Sequence, residues 1–175
     1  MVTGLEQYHF ERAGYFVRRG LLLGQALTAW TAAARALGPG QEAGQASLPA
    51  AEALSLLDEL LERHAGPTEV HLLAAGSPPH WRRGSPDEAI ARIALADDEG
   101  LCVLGGAHEG PLPPGVEAAL GHDPGCDLEG QVRVRLRAGD AIFRLGSLPV
   151  RDEGAPLSIE FRARREDAAA RGCAP

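Results

Sequence analysis

The sequence contains no lysine and no asparagine, and all 17 of its basic residues are arginine. Without lysine the chain cannot form a Schiff base, anchor pyridoxal phosphate or complete a phosphate-binding loop that ends in lysine. Without asparagine it cannot carry an N-linked glycan. These absences exclude several classes of cofactor and modification.

Acidic residues outnumber basic ones by 24 to 17 and leave the chain with a net charge of −7. A nucleic-acid surface needs a net basic footprint to neutralise phosphates. The charge balance therefore excludes nucleic acid as a partner.

Cysteine is limited to Cys102, Cys126 and Cys173, an odd number without C-x-x-C spacing. This usage favours free thiols in a reducing cytoplasm over a disulfide framework or a zinc site.

The sequence also lacks a long apolar run. The charge-free stretch between Arg19 and Arg35 is too short to span a bilayer, so we expect a cytoplasmic protein without a membrane segment.

The length of 175 residues and the 45% hydrophobic content predict one globular domain over residues 1–175. We expect an N-terminal strand and helices over 1–67, barrel strands over 68–165 and a flexible tail over 166–175. Helical spacing of apolar residues predicts helices at about 25–37 and 49–65. Short apolar runs between glycine and proline turns predict strands at 69–74, 89–96, 101–104, 131–137, 141–145 and 157–164. The predicted class is α+β, mainly β.

Four segments resemble, in the same order, the phytanoyl-CoA dioxygenase-like family of Fe(II)/2-oxoglutarate oxygenases. They are residues 10–22, the pair 93–100 and 105–110, the turn and strand 138–143, and the final strand 157–162. The resemblance implies a double-stranded β-helix, a jelly-roll or cupin-like barrel with N-terminal helices packed on one sheet.

The same resemblance implies that the iron site is lost. These enzymes bind Fe(II) through a His-x-Asp pair and a later histidine. Arg82 stands at the position of the first histidine, Gly84 at that of the aspartate, and Val150 near the later histidine. The arginine that clamps 2-oxoglutarate would fall near 155–156, where neither residue is basic. The chain therefore resembles a degenerate member of the family without a metal motif, and we expect no cofactor.

Arg82 is the central residue of the predicted site. A cation at the barrel mouth would replace the charge of the missing metal, bind a carboxylate or polarise a carbonyl or enolate. Its structural alternative is a salt bridge with Asp87 or Glu88.

The remaining predicted site residues lie around Arg82. His80 is predicted as an acid or base beside Arg82, and Trp81 and Arg92 are expected to complete one concave site. The predicted catalytic residues are His80 and Arg82, and the predicted substrate-binding residues are Trp81, Arg92, Arg151 and Arg162.

Other polar residues have structural interpretations. His9 and Glu11 have a ligand-like spacing, but they lie before the first predicted strand, and if that segment is helical their side chains diverge. His71 on a strand is interpreted as a core or rim histidine, His122 as part of a solvated turn, and Asp140 as a turn cap.

Three functions follow from these observations. The first is a metal-free enzyme that binds a small anionic or carbonyl-bearing metabolite and catalyses a non-redox cyclisation, isomerisation or elimination in biosynthesis. The second is a non-catalytic pseudo-oxygenase that serves as a binding module, with a protein partner or a homo-oligomer left open. The third is an Fe(II)/2-oxoglutarate oxygenase with altered ligands.

Overall fold

The structure is a computed structural model that describes residues 1–36, 55, 59, 69–73, 81–112, 114–122, 126–153 and 157–164. The predicted helix at 49–65 lies outside these ranges except for Ser55 and Glu59, which are helical. The predicted tail at 166–175 also lies outside the described residues.

The N-terminal segment forms a helix, a strand and a second helix. Helix α1 (Gly4–Ala13) begins with a capping box, in which Thr3 and Glu6 bond each other's backbone N–H groups. It ends at Gly14, whose φ of 79° is a left-handed conformation that glycine adopts without strain. Strand β1 (Tyr15–Arg18) and helix α2 (Gly24–Ala36) follow. Helix α2 confirms the predicted helix at 25–37, whereas α1 was not predicted.

The rest of the described chain is mainly β, with one helix, α3 (Pro114–His122). The strands are β2 (Glu69–Leu73), β3 (Trp81–Arg82), β4 (Glu88–Ala94), β5 (Asp98–Val103), β6 (Val132–Leu136), β7 (Ala141–Leu145), β8 (Val150–Asp152) and β9 (Ser158–Arg164). The six predicted strands are confirmed with small shifts of their ends. Strands β3 and β8 are too short to show an alternating pattern.

The strands form two antiparallel sheets. The larger has the order β1-β7-β4-β9-β2 and the smaller has the order β3-β8-β5-β6. Apolar residues of both sheets meet in one cluster between them, including Ile142 from the larger sheet and Leu101 and Val150 from the smaller. This arrangement confirms the predicted double-stranded β-helix.

Helices α1 and α2 cover the outer face of the larger sheet. Trp30 of α2 packs on Phe161 with ring centroids 5.8 Å apart, and Phe16 stacks on Phe143 at 5.0 Å. Phe10 of α1 joins the same cluster. The predicted packing of N-terminal helices on one sheet is therefore confirmed for these two helices. Within the described ranges, none of the helices is both long and apolar enough to cross a membrane.

Asp140 holds the turn between β6 and β7 to the N-terminal segment. Its carboxylate accepts hydrogen bonds from the backbone N–H groups of Gly20 and Arg137, and from the Arg19 side chain at 2.6 Å. Burial opposes ionisation, but these bonds hold the pKa of Asp140 below its usual value. The predicted role of Asp140 as a turn cap is confirmed.

Candidate functional site

Seven charged side chains meet between the two sheets, and we call them the interior charge cluster. Successive residues of a strand point to opposite faces, so each member lies at an inward position of its strand. The large sheet contributes Arg92, Arg144, Glu160 and Arg162, and the small sheet contributes Arg82, Asp98 and Asp152.

Glu160 is the centre of the cluster, and its side chain is fully buried. Its Oε1 lies 3.1 Å from Arg82 and 3.5 Å from Arg144, and its Oε2 lies 3.2 Å from Arg162. Burial disfavours the charged carboxylate, but the guanidinium groups, that of Arg144 foremost, outweigh it and hold the pKa of Glu160 at about 2. Glu160 is therefore an anion at neutral pH and holds three arginines together.

Arg92 connects the two remaining carboxylates. It donates to Asp98 at 2.8 Å and also to Asp152, which in turn accepts from Arg82 at 2.7 Å. The side chains of Arg92 and Asp98 are each 1% exposed. Burial raises the pKa of Asp98 even though Arg92 opposes the shift. This deeper part of the cluster is closed to solvent and paired internally.

The cluster has more positive than negative charge, with four arginines against three carboxylates. Burial lowers the pKa of Arg144 to about 10, so its guanidinium is still charged at neutral pH. The buried Nε–H groups of Arg82, Arg92 and Arg162 find no hydrogen-bond acceptor among the described residues. These buried donors are costly to leave unsatisfied, and the positive charge of the cluster exceeds its negative charge.

Solvent reaches the cluster at two arginines. The side chain of Arg82 is 29% exposed and that of Arg162 is 31% exposed, whereas Arg92 and Arg144 are buried. An incoming anion would therefore meet Arg82 and Arg162 first.

Two carboxyl groups with lowered pKa values, Glu160 in the cluster and Glu6 in α1, predict an acid-sensitive fold. The pKa of Glu160 is about 2, and that of Glu6, hydrogen-bonded to Arg18, is also about 2, against an ordinary value of 4.5. A carboxyl with a lowered pKa stabilises the fold above its ordinary pKa and loses that contribution as the pH falls towards the folded value. Asp98, with its raised pKa, acts in the opposite direction and offsets part of the loss. We expect the free energy of unfolding to fall between about pH 5 and pH 2.

Urea unfolding at a series of pH values measures this effect. Glu160→Gln and Glu6→Gln should each flatten the dependence, because each removes one group with a lowered pKa. A stability that is unchanged between neutral pH and about pH 3 would contradict the assignment.

The structure brings together three of the predicted site residues, Arg82, Arg92 and Arg162, through their shared carboxylates. The predicted salt bridge of Arg82 with Asp87 or Glu88 is wrong, because its partners are Asp152 and Glu160. Glu88 pairs instead with Arg164 at 2.9 Å, near the end of the barrel.

Trp81 and Arg151 lie on the opposite face of the small sheet, so the single concave site predicted from His80, Trp81, Arg82 and Arg92 needs correction. Trp81 precedes Arg82 in strand β3, and neighbours in a strand point to opposite faces. The Trp81 ring is buried, donates from Nε1 to the Cys126 carbonyl at 2.9 Å, and lies 5.3 Å from the Arg151 guanidinium. His80 lies outside the described residues.

Arg151 is tied to acidic side chains on that outer face. It bonds Asp127 at 2.7 Å and also Glu153. Burial lowers the pKa of Arg151, but the bond to Asp127 outweighs it and the net shift is upward. These contacts join β8 to the segment that follows α3. They give Arg151 a structural role on the outer face of the small sheet.

The described residues do not fit the iron site of the resembled family. A facial Fe(II) site needs two histidines and a carboxylate. Arg82 is a cation already paired with two carboxylates, Gly84 has no side chain, and Val150 is a buried aliphatic residue in register with Arg82. Within the described ranges, no group of three or more histidine, cysteine, aspartate or glutamate residues could hold a metal ion.

Sequence reasoning missed several members of the site. Arg144, Glu160, Asp98 and Asp152 all belong to the cluster but were not selected. A usable signal exists for two of them, because Arg144 and Glu160 interrupt apolar strands at positions that alternation directs inward. His71, interpreted from the sequence as a core or rim residue, lies directly opposite Glu160 in the pairing of β2 with β9.

Two clefts formed by described residues lie away from the cluster. A cleft of about 610 Å³ is lined by residues at the β6–β7 end of the barrel, including Arg19, Arg137 and Asp140. A cleft of about 850 Å³ lies outside the small sheet, lined by residues such as Val116 and Cys126. Neither cleft includes a member of the interior charge cluster.

Comparison with known proteins identifies the fold. No family model and no curated protein sequence matches the chain. Among solved structures, HygX from Streptomyces hygroscopicus with nickel and 2-oxoglutarate bound has a TM-score of 0.68 at 16% identity, covering 100% of this chain and 96% of HygX. The chain has the oxygenase double-stranded β-helix fold. At this level of identity the likeness concerns the fold alone.

Two other solved structures agree. The non-heme α-ketoglutarate-dependent epimerase SnoN from nogalamycin biosynthesis has a TM-score of 0.64 at 20% identity, with 91% of this chain and 82% of SnoN covered. EctD from S. alaskensis, solved with 2-oxoglutarate and 5-hydroxyectoine, has a TM-score of 0.68 at 15% identity, with 93% and 76% covered. The oxygenase fold is therefore shared along nearly the whole chain.

Proposed function

We propose that this chain binds a small carboxylate-bearing metabolite at the interior charge cluster and catalyses a non-redox step on it without a metal. The observation that carries this proposal is the excess of arginine over carboxylate between the sheets, together with the partial exposure of two of these arginines, Arg82 and Arg162.

The geometry of arginine supports an anionic ligand. A guanidinium presents several N–H donors in a planar fork that matches a carboxylate. Among the described residues, Arg162 bonds Glu160 through its Nη2, and Arg82 bonds Asp152 and Glu160 through its Nη2. Within that part of the chain, the Nη1 groups of both arginines are left for a ligand while their ion pairs hold them in place.

The same cations support chemistry at a carbonyl. A positive group that is fixed before the reaction stabilises negative charge as it develops on an oxygen, such as that of an enolate. Arg82 is held by two carboxylates from different strands.

Binding can be tested by titrating the protein with pyruvate, malonate and succinate in a calorimeter. We expect binding of at least one of them, and we expect Arg162→Gln to weaken it about 10- to 100-fold, the value of one or two charge-assisted hydrogen bonds. Arg162→Lys should restore little, because lysine lacks the planar fork. Arg162 suits the test better than Arg82, because it has one carboxylate partner instead of two.

Arg135→Gln is the matched control, since it removes the same charge from an exposed position of β6. It should bind as the wild type does. Equal weakening in both variants would show that only the overall charge matters, which would contradict a specific site.

One observation favours the alternative of a non-catalytic binding module. The charged side chains of the cluster are paired with one another, and the ion pair of Arg92 with Asp98 is closed to solvent. Failure of every small carboxylate to bind would favour this alternative. Iron uptake with succinate formation from 2-oxoglutarate would instead favour an active oxygenase.

A further inference from the structure

The cleft of about 850 Å³ outside the small sheet has a wall of apolar side chains. Its size lies within the usual range of small-molecule pockets, about 300–1,000 Å³. Leu104, Val116 and Leu128 line it. Leu104 and Val116 belong to one buried cluster with Trp81, and Leu128 packs against that cluster. The apolar wall of the cleft is therefore part of the folded core.

The charged side chains that line the cleft are all acidic. They are Glu109, Asp127 and Glu129, and neither arginine nor histidine lines it within the part of the chain that the structure describes. Asp127 is paired with Arg151, whereas the exposed carboxylate of Glu129 has no hydrogen bond or ion pair with a described residue. The first turn of α3 also borders the cleft, but a helix N-terminus carries only about half a positive charge. The wall of the cleft is therefore negatively charged.

The backbone around the cleft offers few donors to an anion. The N–H groups of Gly106, Ala107 and Leu128 already donate to other groups of the protein. A cation would meet carboxylates at the wall, whereas an anion would meet neither a basic side chain nor these N–H groups. The charge of the wall therefore selects for a positive ligand.

We propose that this cleft binds a small organic cation, an apolar chain or ring that ends in a protonated amine. The apolar part would cover Leu104, Val116 and Leu128 and remove apolar surface from water. The ammonium group would be attracted by Glu109 and Glu129. This site is separate from the proposed carboxylate site, because none of the members of the interior charge cluster lines the cleft.

Cys126 provides a local reporter of binding, because its partly exposed side chain lies in the wall of the cleft. Its carbonyl accepts from Trp81 Nε1 at 2.9 Å and from Arg151, so its backbone is held in place. Cys102, by contrast, is completely buried. A ligand in the cleft should therefore protect the Cys126 thiol from a thiol reagent.

The experiment compares hexylammonium, hexanol and hexanoate, which have the same chain length and differ in charge. Methyl methanethiosulfonate modifies the protein at neutral pH, and peptide mass spectrometry follows the modification of Cys126 at each probe concentration. Hexylammonium should protect Cys126 in a saturable way, with a Kd about fivefold or more below those of hexanol and hexanoate.

Charge variants test the role of the carboxylates. Glu109→Gln and Glu129→Gln should each weaken hexylammonium binding about two- to fivefold, as expected for an exposed ion pair. Glu99→Gln, at an exposed glutamate of β5 outside this cleft, is the matched control and should bind as the wild type does.

A filling variant tests the location. Gly115 lines the cleft as the second residue of α3, and a Cβ there would meet no atom within 4 Å. Leucine favours a helix more than glycine does, so Gly115→Leu should keep the fold while its side chain occupies the cleft. We expect it to weaken hexylammonium binding about 10-fold or more. Gly4→Leu, at the equally open first residue of α1, is the control and should bind as the wild type does.

Three results would overturn the proposal. They are no protection of Cys126 by hexylammonium up to about 10 mM, equal protection by hexylammonium and hexanol, and unchanged protection in a folded Gly115→Leu variant. Circular dichroism checks the fold of each variant. If Gly115→Leu does not fold, Glu109→Gln combined with Glu129→Gln replaces it, since both side chains are exposed, and unchanged protection in that variant would overturn the proposal.

Discussion

Replacement of Glu160 by glutamine is expected to lower the free energy of unfolding by about 3–5 kcal/mol, the usual cost of removing one partner from a buried ion-pair network. Glu160 is fully buried and is the carboxylate that Arg82, Arg144 and Arg162 share. Without its charge these guanidinium groups repel one another in a poorly solvated space. Urea unfolding at neutral pH measures the loss.

Two further variants make this test specific. Glu117→Gln, at an exposed position of α3, should change stability by less than about 0.5 kcal/mol. Arg144→Met combined with Glu160→Gln should cost less than the sum of the single variants, because Arg144 is buried and depends on Glu160 for its counter-charge. Strict additivity would mean that the two residues do not interact.

Replacement of Trp30 by alanine is expected to cost about 3–5 kcal/mol, the range for a large aromatic side chain in a core. Trp30 is 1% exposed and packs on Phe161 of the larger sheet. The cost arises because truncation leaves a cavity between α2 and the sheet. Thermal or urea unfolding followed by circular dichroism measures it.

Thr28→Ala, in the same helix, is the control, because Thr28 is exposed and its hydroxyl donates to the Gly24 carbonyl of the helix itself. It should change stability by less than about 0.5 kcal/mol. A loss of less than about 1 kcal/mol for Trp30→Ala would show that α2 is peripheral to the fold.

The strands were largely predictable because burial on one face leaves an alternating pattern. Strand β6 shows it directly, since Val134 and Leu136 are buried whereas Arg133 and Arg135 are exposed. Val132, at the start of the same edge strand, is 45% exposed and departs from the pattern. The alternation of apolar and charged residues therefore identified strand β6. It did not show at which residue of the strand the buried core begins.

The missed elements lack such a pattern for physical reasons. Strands β3 and β8 contain two and three residues, too few for any periodicity. Helix α1 buries only Phe10, so its sequence carries no apolar face. Helix α3 begins with Pro114 and Gly115, which on sequence alone suggest a turn.

The sequence by itself determined the class of fold, and its lack of lysine excluded chemistry that needs a lysine side chain. It also determined which face of each regular strand is apolar, because that information is local and repeats every two residues. Only the tertiary structure decided which charges meet. Arg82 bonds Asp152 and Glu160 across separations of 70 and 78 residues, and Trp81 is separated from that site by the sheet itself. Ion pairs of this kind depend on which strands face each other across the barrel. The local pattern of residues along one strand does not specify its facing strand.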